Sequence, residues 1–215
     1  MIKVIDCIYL TEKGCSVKTN GKFYPVHLQQ GDIDGACSVY ALMMNLLILK
    51  TITRRQVEDV FNDIRKSPEV EQLFHEMFDK HGLVRGGFHF NNLKKLINHS
   101  FGDVVFAEYF EKRNDDIYAI IKETIDNNIP IILGIDFKGG GGHAVLAIGY
   151  ERDVDGIFNI FCLDPGYSNT PTSYWNMVIS LGIYQRSRFP HQCLTVNPYN
   201  CPAIQITDIL VITKK

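Results

Sequence analysis

The sequence predicts an α+β fold, with a helical first part packed against an antiparallel sheet built from the second, and three observations predict it. Between about 34 and 128 the chain carries helix-start residues and helical spacing of apolar side chains. From Ile129 onward it changes to short β-rich runs bounded by Gly, Pro and Asp. Ahead of both lie two apolar runs with Asn20-Gly21 between them. Segregated helices and strands of this kind argue for α+β rather than for an alternating α/β sheet. At 215 residues, 46% hydrophobic and 21% charged, the chain has the size and apolar content of one domain. The expected division is an N-terminal hairpin over about 2–28, a helical part over about 34–128 and a β-rich part over about 129–215.

Taken in order, residues 2–10 and 22–28 are the expected hairpin arms, because both positions of Asn20-Gly21 tolerate the positive φ that a two-residue turn needs. Asp34 is the expected N-cap of a helix to about residue 49. Its body, CSVYALMMNLLIL, is apolar almost all round, which marks a buried central helix. Thr53, with Gln56 three residues on, forms a capping box opening a second helix to about Arg65. Ser67-Pro68 opens a third, closing near His81-Gly82. Residues 91–99 and 113–127 supply two more. IPIILGID, HAVLAIGYE, GIFNIFCLD and IQITDILVITK read as strands.

Composition excludes several function classes. Net charge is −2, from 22 basic and 24 acidic residues without a basic block, so neither nucleic acid nor an anionic membrane is an expected partner. The N-terminal MIKVIDCIYLTEKG lacks the apolar core and cleavage site of a secretory signal, and the apolar stretch 41–49 is too short to span a bilayer. A cytoplasmic protein is expected, with signal-independent export as an effector or toxin the alternative. The six cysteines form no CxxC pair, so reduced thiols are expected rather than a zinc ribbon or redox motif. His75 and His81 lie six apart without an HExxH pattern, so no metal or cofactor is expected.

Three segments carry candidate chemistry. In HLQQGDIDGAC a cysteine, Cys37, enters the first turn of the buried helix. There the positive end of the helix dipole favours thiolate over thiol, and thiolate is the nucleophile. Asp32 and Asp34 oppose this, since nearby carboxylates raise a thiol pKa, and a merely buried cysteine is the alternative. In KGGGGHAVLAIGYE, His143 stands at the mouth of an apolar strand behind four glycines that strip side chains from its approach. They are not a phosphate loop, because no GK[ST] follows. In GIFNIFCLDPGYSN, Asp164 ends a strand at a Pro-Gly turn. If the strands around 143–151 and 157–163 pair through the turn near Asp153–Gly156, His143 comes to lie beside Asp164. A plain turn aspartate is the alternative.

Cys, then a Gly-rich turn with His, then a strand-end Asp is an order that resembles the papain superfamily of cysteine peptidases. GGGGHAVLAIGY resembles its histidine strand and QGDIDGAC its nucleophile segment. The carboxylate third member in a DP turn is similar to the bacterial C39-like peptidases. The resemblance covers roughly 29–49 and 130–166. The motif CG[SA]C[WY] is absent, the segment reading GACSVY, and Gln30 precedes Cys37 by seven positions. The resemblance implies a papain-like fold with a helical lobe and a β-sheet lobe, and a Cys37–His143 ion pair oriented by Asp164. It also implies an oxyanion hole from the Cys37 N–H and Gln30, with Gln29 the alternative. The implied activity is hydrolysis of peptide or isopeptide bonds in a protein or peptide substrate through a thioester. Glutamine deamidation or acyl transfer by the same residues, and a non-catalytic binding scaffold, are the competing functions. His89, in Gly-Gly-Phe-His-Phe, is read as a cleft wall or a surface loop. Trp175 or Tyr167 could shield the His–carboxylate bond or simply fill the core.

Overall fold

Asn20 and Gly21 adopt φ 49° and 78°, so both central positions of the first tight turn are left-handed, as a two-residue hairpin turn requires. The computed structural model that shows this describes residues 1–31, 35–59, 66–80, 88–184, 186–197 and 201–215. Its elements are β1 (Ile2–Val4), β2 (Ile8–Thr11), β3 (Gly14–Thr19), β4 (Lys22–Pro25), α1 (Cys37–Ile48), α2 (Arg54–Glu58) and α3 (Pro68–Phe74). A π-helical segment follows over His75–Lys80, then α4 (Phe90–Ser100), β5 (Val105–Glu111) and α5 (Ile117–Asp126). The chain ends with β6 (Ile131–Phe137), β7 (Gly142–Arg152), β8 (Ile157–Leu163), β9 (Met177–Ser180), β10 (His191–Thr195) and β11 (Ala203–Lys214).

The α+β class is as expected, but the N-terminal arms pair differently. Asn20-Gly21 joins β4 to β3, with Thr19 facing Lys22, and β3 pairs on its other side with β2. Ile2–Val4 leaves this three-stranded sheet and pairs with β7 of the larger one. A second tight turn explains the change. Gly14, at φ 80°, lets the chain reverse directly after Thr11, so β2 ends there and β3 begins.

In the larger sheet the pairings run β7–β6–β11–β10–β9–β8 and return from β8 to β7, all antiparallel. β1 pairs with the far end of β7, and β5 pairs with β11. β5 lies within the stretch expected to be helical. Its burial alternates at first, with Val105 and Ala107 inside and Phe106 and Glu108 outside, the period-2 pattern of a strand with one face covered.

Helix α1 packs against β6 and β7 and is buried along nearly its whole length. Its N-cap position is held by Ala36, whose carbonyl accepts from the N–H groups of Val39 and Tyr40 at 2.8 and 3.0 Å. Cys37 is therefore at N1 rather than N3, and the expected cap, Asp34, lies with Asp32 outside the described residues. The Thr53–Gln56 capping box is present. Ser67 caps α3 with Pro68 at N1. The expected ends of these two helices, Arg65 and His81-Gly82, lie outside the described residues. Asp116 caps α5, which starts later than the expected 113. No described helix is long and apolar enough to cross a membrane.

One polar side chain ties α1 to the sheet. Asn45, fully buried, donates from Nδ2 to the carbonyl of Pro130 at 3.0 Å, immediately before β6. Asn45→Ala orphans that carbonyl, and a loss of about 1–3 kcal/mol is expected for a buried acceptor left bare. A urea unfolding midpoint unchanged from wild type would show that this bond does not hold the helix.

Candidate active site

Cys37 opens α1, and the peptide N–H groups of a helix's first turn have no intrahelical acceptor. The N–H groups of Ser38 and Ala144 and the side chain of His143 lie close enough to its sulfur to lower the pKa of the thiol. The last two partners belong to the start of β7, so the packing of α1 on that strand brings sulfur and imidazole together. The turn from β6 into β7 places the ring. Gly140 and Gly141 have φ 93° and 87°, values that only glycine adopts without strain, and the hairpin they close pairs His143 with Ile135.

Asp164 follows β8, the other neighbour of β7, in the antiparallel arrangement inferred from the sequence. It is 1% exposed, and its Oδ1 lies 2.6 Å from His143 Nε2. The N–H of Gly166 donates to the same oxygen at 2.7 Å. With Nε2 engaged, Nδ1 is the ring nitrogen left to face the sulfur. Cys37, His143 and Asp164 thus form one chain of contacts. Gln30 is tied to the same turn, its N–H donating to the carbonyl of Pro165 at 2.9 Å, and its side chain is half-buried; Gln29 is exposed.

Two residues that sequence reasoning missed hold this turn. Asn176 accepts from the Asp164 N–H at 2.7 Å and donates to the Asp164 carbonyl at 2.9 Å, gripping its backbone from both sides. His27, 6% exposed, places Nε2 2.9 Å from the same carbonyl. Burial depresses the His27 pKa, outweighing the opposing pull of Asp164, so a neutral ring donating from Nε2 fits. Neither residue sits in a recognisable motif; buried asparagine and histidine carry no signal in a single sequence. Trp175 stacks on Phe161, with ring centroids 4.0 Å apart, as a packing aromatic. The ring beside the imidazole is Phe137, at 6.3 Å and nearly parallel.

Electrostatics favour a charge-separated pair. Burial by itself pushes the Cys37 thiol up, but the hydrogen bond and charge of His143, aided by the Ala144 and Ser38 N–H groups, bring it below the ordinary thiol value. For His143 burial acts downward, yet Asp164 and Cys37 overcome it and raise the imidazole well above its usual range. The thiols of Cys7, Cys15, Cys162 and Cys193, by contrast, are all pushed up by burial.

Open space flanks the pair on both sides. A cavity of about 450 Å³ is bordered by Cys37, His143, Phe88, His89, Asp136 and Asp208. A second, of about 470 Å³, is bordered by Phe137, His143, Asp164, Tyr167 and Cys193. His89 is therefore a cleft-wall residue, and Tyr167, not Trp175, borders the second cavity beside the His–carboxylate bond.

In native protein, iodoacetamide should modify Cys37 ahead of Cys7, Cys15, Cys162 and Cys193, as read by peptide mass spectrometry. Its rate should persist below pH about 8.5, the free-thiol value. It should fall only when acid protonates the sulfur of the ion pair. In His143→Ala only the Ala144 and Ser38 N–H groups still oppose burial, and the pH limb should move upward. A limb that stays in place in this variant would separate the imidazole from the thiol's acidity.

Among known proteins, the model of the Peptidase C39-like family matches residues 23–189. No curated protein matches the chain.

Proposed function

Because the chain belongs to the Peptidase C39-like family, we propose that it is a cysteine peptidase. In this proposal Cys37 is the nucleophile, His143 the acid–base and Asp164 the residue that orients it. The observation that carries the proposal is the unbroken contact from buried carboxylate through imidazole to a thiol with a depressed pKa. It includes a papain-like arrangement of a helical lobe and a sheet lobe, with which the large antiparallel sheet and the few helices are compatible.

The Cys37 thiolate attacks the carbonyl carbon of a peptide or isopeptide bond, and the carbonyl π electrons move to oxygen. Two donors stabilise that oxyanion, the unpartnered class of N–H at Cys37 and the side-chain amide of Gln30. Each such donor is worth about 3–4 kcal/mol in acyl-transfer enzymes. The C–N bond then breaks as His143 passes its proton to the leaving nitrogen, and a thioester remains on Cys37. Water, losing a proton to His143, attacks the thioester; the carboxylic product leaves and the thiolate is restored. Asp164 keeps the proton on Nε2, so that Nδ1 is the nitrogen that exchanges protons with sulfur and substrate.

Cys37→Ala should abolish turnover while the fold persists. Proteomes of cells expressing wild type or Cys37→Ala are the direct test. New protein termini confined to wild type are expected. A gain of about one dalton on glutamine without new termini, the amide-to-acid change, would mean deamidation instead. Identical proteomes would sink both. Gln30→Ala should cost about 10²–10³ in kcat, as loss of one oxyanion donor does elsewhere. A loss under threefold, measured on any cleaved peptide, would remove Gln30 from that role.

A further inference from the structure

The cavity beside Cys37 has walls of two kinds, and they point to the kind of side chain it receives. Two carboxylates enter it from neighbouring strands. The register of β11 slips at Thr207, so Asp208 comes to face Gly134 of β6. A bulge of this kind re-aims the side chain that follows it. Gly134 is what lets that side chain lie across β6, since a Cβ there would collide with Asp208 Oδ1. Asp136, two residues beyond Gly134, is on the same face of β6 and borders the same cavity.

The partners of these carboxylates are neutral. Thr207 donates to Asp208 Oδ1 at 2.8 Å, and Gln205 donates to Asp136 Oδ2 at 3.2 Å. Neither carboxylate forms an ion pair among the described residues. Burial first, and then the charges of Asp136 and Glu111, raise the Asp208 carboxyl above its ordinary value, against the Thr207 hydrogen bond and the charge of His89. Like charges held together in a half-buried site are relieved by a cation.

A second, independent observation comes from α1. Ser38 is 2% exposed, borders the cavity, and its Oγ has no hydrogen-bond partner among the described residues. A buried hydroxyl without a partner marks a place where a ligand atom completes the hydrogen bonding. Phe88, Phe90 and Ile135 supply apolar surface between these polar points.

We infer that this cavity is the specificity site for a lysine or arginine side chain of the substrate, its aliphatic stem lying along the apolar surface and its cationic head between Asp208 and Asp136. The inference rests on Cys37 being the nucleophile, because it places the basic residue close to the scissile bond.

Peptidyl acyloxymethyl ketones, which alkylate an active-site thiol, test it. One position at a time carries Lys, Arg, norleucine or Glu, and the rate of Cys37 labelling is read by intact mass. At one position Lys or Arg should label at least tenfold faster than norleucine, and the ratio should fall below threefold in the Asp136→Asn/Asp208→Asn protein. Taking the ratio within each protein cancels any change in thiol reactivity. In Asp208→Lys, checked for folding by thermal melt, Glu should overtake Lys. A wild-type ratio near one at every position, or a ratio the double variant leaves intact, overturns the inference. If no ketone labels Cys37, the nucleophile assignment fails. Calorimetry of the Lys and norleucine peptides with Cys37→Ala protein then decides the cavity's preference by itself: tenfold tighter binding of Lys supports it, and equal binding overturns it.

Discussion

The buried carboxylate of Asp164 is the constraint around which the rest is arranged. A carboxylate that is 1% exposed needs donors in place of water, and it has them in His143 Nε2 and the Gly166 N–H. Those donors work only if the strand end that carries Asp164 is held still. Asn176 and His27 hold it through its backbone, and Gln30 is attached one residue on. The side chains nearest the sulfur are therefore positioned by a second layer of polar groups that never reach it.

The same economy governs α1. Its apolar circumference needs cover on every side, and β6 and β7 provide much of it. Burying the helix deeply sets its first residue against the first residues of β7, so core packing and the approach of thiol to imidazole have one cause. The lowered thiol pKa follows from that geometry, because burial raises the thiols of Cys15 and Cys162, which have no imidazole beside them among the described residues.

Much of this was legible in the residues alone, for definable reasons. The capping box at Thr53, the Ser67-Pro68 start and the Asn20-Gly21 turn are local chemistry, and each is found where expected. The neighbouring strands that bring His143 to Asp164 could be inferred because a short polar turn leaves antiparallel pairing as the simple outcome. What was missed depends on distant partners. GCSVKT has too little apolar character to announce β3, and β9 and β10 are short runs whose burial comes from the strands beside them. Cys37 sits two positions nearer the helix start than expected, because capping by Ala36 uses no side chain and so leaves no trace in composition. Asn176 and the Asp136–Asp208 pair become meaningful only once strands far apart in the chain are side by side.

The closed circuit of pairings carries a consequence for how such a protein can change. In an open sheet an outer strand can slide by one residue and turn every side chain to the wrong face. In a circuit through β7, β6, β11, β10, β9 and β8, a slip at one seam would have to be matched at all the others. Strand-borne groups are thus insulated from what happens in the connections between strands. His143, on β7, has that protection, whereas Cys37 at the start of α1 and Asp164 just past β8 lie where helix and strand give way to connection, so changes in those two connections reach the site directly.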